Sequence, residues 1–374
     1  MIYLDHASHT PADPEVLAEF CRVEGQFMAN PMAAHSAGQA AWAELERLTS
    51  SAAGLLSAKP SELIWTSGAS EANNLAIKGI ARAYRHTGRH IISTCLEHPS
   101  VSGPLAALKD QGYEIELADI RENATVDLKH IAALLRRDTI LLCVVWADSE
   151  LGAIQPISEI TELLKKYPNC NLHVDAAQAA GKIPVSFDGI DTLCLSPHKF
   201  HGLCGSGILL KREAVILEPQ IHGGMGASML RGGTPALALA ASSFRALEMA
   251  VINQADRYKK VESLNRHVSQ ALRNYPNVRI NSPNDGSPYI LNLSVQGIKG
   301  SDFQAALDKR GVCVSVKSAC SAPGTPSRPV FAVSRDKKNA MSSWRIGFSH
   351  LTELAEVESF LGIFNECYNH FKTQ

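Results

Sequence analysis

The stretch CLSPHKFHG, residues 194–202, sets a serine, two histidines and a lysine directly after an apolar run. A lysine at the end of a buried strand can form an imine with an aldehyde, provided other parts of the chain supply its partners. Taken alone, the cluster reads as a basic, solvated turn. Three further segments have the same form. HVDAAQ places Asp175 and Gln178 after an apolar run, TSGASE places Gly68, Ala69 and Ser70 between an apolar run and a helical pattern, and LEHPS places His98 shortly after another run. Taken singly, Asp175 is a helix cap, His98 an ordinary surface or core histidine, and Ser70 an N-cap. Together they supply a more specific chemistry. A helix N-terminus at 69–71 holds a phosphate with backbone N–H groups and its dipole, and Ser196 and His198 add donors. Asp175 keeps a pyridine nitrogen protonated, and His98 lies against the ring face. Phosphate, aldehyde and pyridinium describe pyridoxal phosphate, whose protein partners are a lysine and an acid at the ring nitrogen.

Such residues need strands to carry them. Strand patterns fall at 63–66, 90–94, 140–147, 171–175, 191–195 and 207–210, with helical patterns between them, as at 71–85 and 157–167. The alternation predicts an α/β fold, a mainly parallel sheet with helices on both faces and the site at the carboxyl ends of the strands. Past residue 250 the texture changes. A polar helical stretch at 252–274, an apolar run at 290–295, a helix at 302–310, a strand at 312–316 and a last helix from about Thr352 suggest a smaller α+β domain. The expected division is a large domain over 14–255 and a small one made of 1–13 and 256–374.

With 374 residues the chain suits two domains. Its net charge of −1 gives no sign of a polyanion-binding surface, so nucleic acid is not an expected direct ligand. The nine cysteines include no CxxC pair, which argues against a metal site and for a reducing, cytoplasmic setting. Neither a signal peptide nor an apolar run of about 18 residues is apparent, so no membrane association is expected.

The segments YLDHASHT, NPMAAH, TSGASEANNLAIKG, EHPS, HVDAAQAAGKIP, LSPHKFHG, HGGMGASMLRGGTP, VKSACSA and WRIGF, in this order, make the chain resemble the class V aminotransferases, and within them the cysteine desulfurases of the NifS/IscS type. The resemblance implies the pyridoxal-phosphate-dependent aminotransferase fold (fold type I). It implies that Lys199 is the Schiff-base lysine, that Asp175 pairs with the pyridine nitrogen and that Gln178 bonds the ring hydroxyl. His98 stacks on the ring and moves protons, and Ala69, Ser70, Ser196 and His198 hold the phosphate. Thr234 reaches the phosphate of the neighbouring subunit of a homodimer, and Arg345 takes the substrate carboxylate, a task suited to a two-pronged guanidinium.

Cys143, Cys194 and Cys313 read as small core residues. Cys320, in KSACSAPGTPSRP, lies in a segment too polar and too rich in Pro and Gly for a core strand, so it is expected on an exposed loop. Its SAC motif implies the nucleophile that takes sulfur from L-cysteine as a persulfide and leaves L-alanine. Lys317 is expected to favour its thiolate. The implied acceptor is a further protein: an iron–sulfur scaffold, a tRNA-thiolation enzyme or another sulfur-modification enzyme. Two alternatives stand beside this reading: another class V enzyme acting on a different amino acid, and a non-catalytic paralogue serving as an assembly partner. Some positions depart from the family pattern. Asp148 and Ser149 stand where two asparagines are usual, Lys317 where glycine is usual, and His350 where an arginine is usual. NPMAAH and LDHASHT are also altered, the latter placing His9 near the expected site.

Overall fold

The computed structural model describes residues 1–224, 226, 228–317 and 324–372. The chain opens with a short strand, β1 (Ile2–Tyr3), and two helices, α1 (Pro14–Gln26) and α2 (Ser36–Leu55). Seven strands follow: β2 (Leu63–Thr66), β3 (His90–Thr94), β4 (Glu114–Ala118), β5 (Thr139–Val145), β6 (Asn171–Asp175), β7 (Thr192–Leu195) and β8 (Gly207–Lys211). Between them run α3 (Ala69–Ala83), α4 (Pro99–Lys109), α5 (Leu128–Leu134) and α6 (Ile157–Leu164). The strands form one sheet in the order β2-β8-β7-β6-β5-β3-β4. Pairing is parallel from β4 through β7, while β8 runs antiparallel to both its neighbours. Every residue of β3, β5 and β6 is buried, as expected of strands covered on both faces.

Sequence patterning missed β4, an edge strand whose glutamates are exposed or half-exposed. It also extended the strand at 140–147 past Val145, where the chain turns away.

Helix α7 (Leu237–Ile252) packs against α1 and α2 and belongs with the first core. Beyond it the chain builds a second core. Helix α8 (Gln254–Leu272) leads to β9 (Val278–Ile280), β10 (Ile290–Val295), α9 (Gly300–Asp308) and β11 (Val312–Cys313). Then come α10 (Arg328–Ser334), α11 (Lys337–Ser342), β12 (Ser343–Gly347) and α12 (Leu354–Lys372). Strands β12-β10-β9 form an antiparallel sheet, and β1 pairs in parallel with β11. Phe303, Trp344, Phe360 and Phe364 fill this core together with Leu4 from the amino-terminal arm. Only Val312–Cys313 of the expected strand at 312–316 is paired as a strand, and Cys313 is half-buried rather than a core residue. No helix among the described residues is long and apolar enough to cross a membrane.

The arm joins the two cores. It passes so close to β12 that a Cβ at Gly347 would lie 2.5 Å from the Ala7 nitrogen, so only glycine fits there. It continues to Thr10, whose hydroxyl donates to the His198 carbonyl at 2.8 Å and accepts the His201 N–H at 2.8 Å.

Candidate active site

The ends of β2, β3, β5, β6 and β7 bring their loops to one edge of the large sheet, where ligands bind in open α/β sheets. Lys199 ends the short turn Pro197–Lys199 directly after β7. Its ammonium donates to the carbonyls of Ala7, at 3.1 Å, and Ser8. Asp175 is the last residue of β6 and is 3% exposed. Its Oδ1 accepts the Ala177 N–H and its Oδ2 accepts from the Asn73 amide, both at 2.9 Å.

Asn73 is a site residue that sequence reading did not single out. It is fully buried on the inward face of α3. Its Nδ2 donates to Asp175 and to Ser100 Oγ at 2.9 Å, and its Oδ1 lies 3.0 Å from His173 Nε2. With Nδ2 donating to a carboxylate, Oδ1 must accept, so His173 carries its proton on Nε2 and accepts from Thr192 Oγ1 at Nδ1, 2.9 Å away. Burial lowers His173 to about 4, against the pull of Asp175, which keeps the ring neutral. The signal for Asn73 was in the sequence: it falls four residues before Ile77, on the apolar stripe of α3.

His98 caps α4. Its Nδ1 accepts from the Ser100 N–H at 3.1 Å and faces Ser100 Oγ at 2.8 Å. A continuous run therefore joins His98, Ser100, Asn73 and Asp175. Burial lowers the pKa of His98, Asp175 opposes that shift, and the charges of Lys199 and Arg345 add to it, so all four groups act on one space.

The expected phosphate residues also lie together. Ser196 Oγ is 3.0 Å from His198 Nδ1, and His198 is lowered to about 4 by burial and then by the Lys199 charge. Ala69 and Ser70 open α3, whose N-cap, Gly68, offers no side-chain acceptor. A Cβ at Gly207 would come within 2.6 Å of both Gly68 and Thr66 Oγ1, so glycine is what lets β8 lie against this loop. Gln178 Nε2 donates to the Ala7 carbonyl at 2.7 Å and its Oε1 accepts from Lys182 at 2.6 Å. Thr234 is exposed. His9 stacks on His198 with ring centroids 5.7 Å apart, and His350 packs edge-on against His201 at 4.6 Å.

Arg345, on β12, is 1% exposed. Its guanidinium donates to the Ser149 carbonyl at 2.5 Å and to Asp5 Oδ1 at 3.2 Å, while Nε has no partner among the described residues. Cys320 lies outside the described residues. The stems of its segment are tied to the site. Lys317 Nζ donates to the Thr325 carbonyl at 2.9 Å and its hydroxyl at 2.6 Å, Ser327 Oγ donates to Glu150 at 2.6 Å, and Arg328 donates to the Glu97 carbonyl at 3.3 Å. The ammonium expected to serve the thiolate thus bonds the opposite stem.

A buried carboxylate, a strand-end lysine and an uncapped helix N-terminus, together on one sheet edge, define the class: an α/β enzyme site suited to pyridoxal phosphate. Comparison with known proteins agrees. The family model of class-V aminotransferases matches residues 2–360. A "NifS/IcsS protein homolog" of Lactobacillus delbrueckii subsp. bulgaricus is 33% identical, over 99% of this chain and 98% of its own length. "Cysteine desulfurase IscS" of Neisseria meningitidis serogroup C is 35% identical, over 96% of this chain and 89% of its own. A solved structure described as a NifS-like protein superposes with a TM-score of 0.93 at 31% identity, covering 99% of both chains. The chain belongs to the class-V aminotransferase family and, within it, to the NifS/IscS-like cysteine desulfurases.

Proposed function

We propose that the protein converts L-cysteine to L-alanine and passes the sulfur, as a persulfide on Cys320, to an acceptor protein. The observation that carries this reading is one sheet edge that holds Lys199 in the turn after β7 and Asp175 at the end of β6, the latter joined through Asn73 and Ser100 to His98. Pyridoxal phosphate fits the residues present. The first N–H groups of α3, with Ser196 and His198, would hold its phosphate, Asp175 its ring nitrogen, Gln178 its ring hydroxyl and Lys199 its aldehyde carbon. When bound, the cofactor supplies the electron sink that acidifies the substrate α-carbon.

The chain's own residues do the rest. Arg345 takes the substrate carboxylate and fixes its orientation. Lys199, leaving the Ala7 and Ser8 carbonyls, removes the proton at the α-carbon. The neutral His98 ring, its Nδ1 held by Ser100, exchanges protons from Nε2. The Cys320 thiolate attacks the substrate sulfur. A sulfur–sulfur bond forms, the bond from Cβ to sulfur breaks, the electron pair left on Cβ is protonated, and the α-carbon regains the proton that Lys199 removed, giving alanine.

A homodimer completes the site in this reading. Thr234 is exposed beside a groove of about 740 Å³ lined by Trp42, Trp65, Met229, Leu230 and Pro235, a face suited to a second copy. The proposed domains are 14–255 and 1–13 with 256–374, and the arm contributes Leu4 to the second core.

The test is incubation of the purified protein with L-cysteine. Alanine and sulfide should appear together when reductant is present. Without reductant, the peptide containing Cys320 should gain one sulfur. Cys320→Ser should still bind cysteine and lose sulfur release about 10³-fold or more. Release at the wild-type rate from that variant would remove the loop from the mechanism.

A further inference from the structure

The turn after β5 holds an acid where the family usually has an amide. Asp148 is fully buried. Its Oδ2 accepts the N–H groups of Glu150, at 3.1 Å, and Leu151, while Oδ1 has no partner among the described residues. The next residue, Ser149, gives its carbonyl to Arg345. Asp148 therefore sits one peptide unit from the expected carboxylate-binding guanidinium.

The charges around it are crowded. Glu97, from the turn after β3, is 3% exposed, and its Oε1 accepts from Thr94 Oγ1 at 2.9 Å and the Val145 N–H at 2.8 Å, while Oε2 has no partner among the described residues. Glu150 acts on Asp148 from its own turn and bonds Ser327, and Cys95, in the turn after β3, feels the Asp148 charge. Asp5, from the arm, already pairs with Arg345. The cations nearby are Arg345, Arg328 at the Glu97 carbonyl, and Lys317, which feels Glu150. These carboxyl groups crowd the cations named, Asp175 adds its charge to Glu97, and a substrate would bring one carboxylate more. A buried carboxyl oxygen with no donor, among like charges, is where a proton belongs. Burial and then the Glu150 charge raise Asp148 to about 7, with Arg345 and the turn N–H groups opposing, and burial raises Glu97 to about 8.

Resting on the desulfurase reading, we propose that Asp148 is a positioning residue that matches the charge of the Arg345 pocket to its ligand. The pocket takes the substrate carboxylate with a proton on Asp148 and loses affinity for it when that proton leaves. Asparagine would make the same turn bonds through its Oδ1 and never change charge. By linkage, binding an amino acid must draw a proton onto wild-type Asp148.

The holoenzyme tests this in two ways. In the first, KM for L-cysteine is measured from pH 6 to 8.5 in the wild type and in Asp148→Asn. The ratio of wild-type to variant KM should grow by about tenfold per pH unit above 7, with the split in KM rather than kcat. In the second, calorimetry with L-alanine in buffers of different ionisation enthalpy reads proton uptake directly. Near pH 7.5 the wild type should take up more protons than Asp148→Asn. Parallel KM profiles, or equal proton uptake, overturn the proposal even if cysteine is turned over normally. A difference in proton uptake sustains it even if cysteine is not the substrate, in which case the desulfurase reading falls instead.

Discussion

The lysine side and the arginine side of the site are built in opposite ways. On the lysine side, both oxygens of Asp175 are bonded, and every polar atom from His173 through Asn73 to Ser100 has a partner. On the arginine side, Arg345 Nε, Asp148 Oδ1 and Glu97 Oε2 are buried without one among the described residues. A fully satisfied buried network is rigid and holds one charge state. An unsatisfied one is a set of vacant valences that a ligand or a proton can fill. The first side holds one carboxylate in a fixed geometry. The second is arranged to change when a carboxylate arrives.

The comparison breaks first if the lysine side proves dispensable. Lys199→Ala should lower turnover by about 10⁴-fold or more and abolish the visible absorbance of bound cofactor. A variant that keeps its colour and its rate would move the cofactor elsewhere. Asp175→Asn comes next. It keeps the shape of the side chain but sets an amide against the Asn73 amide and removes the charge. Turnover should fall by roughly 10²–10³-fold while cofactor, measured by absorbance after dialysis, is largely retained. Near-normal turnover would show that the carboxylate charge does no chemistry and that the network only props up α3.

The two sides also differed in how far sequence revealed them. Lys199, Asp175, Ser196 and His198 stand at the carboxyl ends of β6 and β7, where an apolar run stops abruptly. Such punctuation is visible in a single sequence. Asn73 and His173 lie inside a helix and a strand, where polar residues ordinarily mark a solvated face. Only the packing shows that both point inward and bond each other. Arg345 was marked by its motif, but its neighbours were not. Asp5, Asp148, Glu97 and Glu150 come from the arm and two different turns, and no local pattern announces that these will meet. The edge strand β4 escaped for a related reason: exposed glutamates broke the apolar run that marked its neighbours.

The smallest expected effect sharpens the comparison on the arginine side. Ser315 is fixed by its backbone pairing with Arg345, and Lys317 is held two residues later by Thr325. Cys320 is three residues beyond Lys317 and five beyond Ser315. At about 3.5 Å per residue, the clasp limits its reach to about 10 Å from the Lys317 Cα, against about 17 Å from the Ser315 Cα without it. Lys317→Met, which keeps the stem's bulk and removes both bonds, should lengthen that tether. The local concentration of a tethered thiol falls as roughly the −3/2 power of tether length, so its attack on bound cysteine should slow by only about twofold. Stability should change by no more than about 1 kcal/mol, because these bonds are partly solvated. The check is paired. Single-turnover alanine formation reads attack inside the site, and alkylation of Cys320 by iodoacetamide reads access from solvent. Release of the clasp predicts that the first slows while the second quickens. If both slow together, Lys317 acts on the reactivity of the thiolate rather than on its reach, which is the electrostatic role expected from sequence.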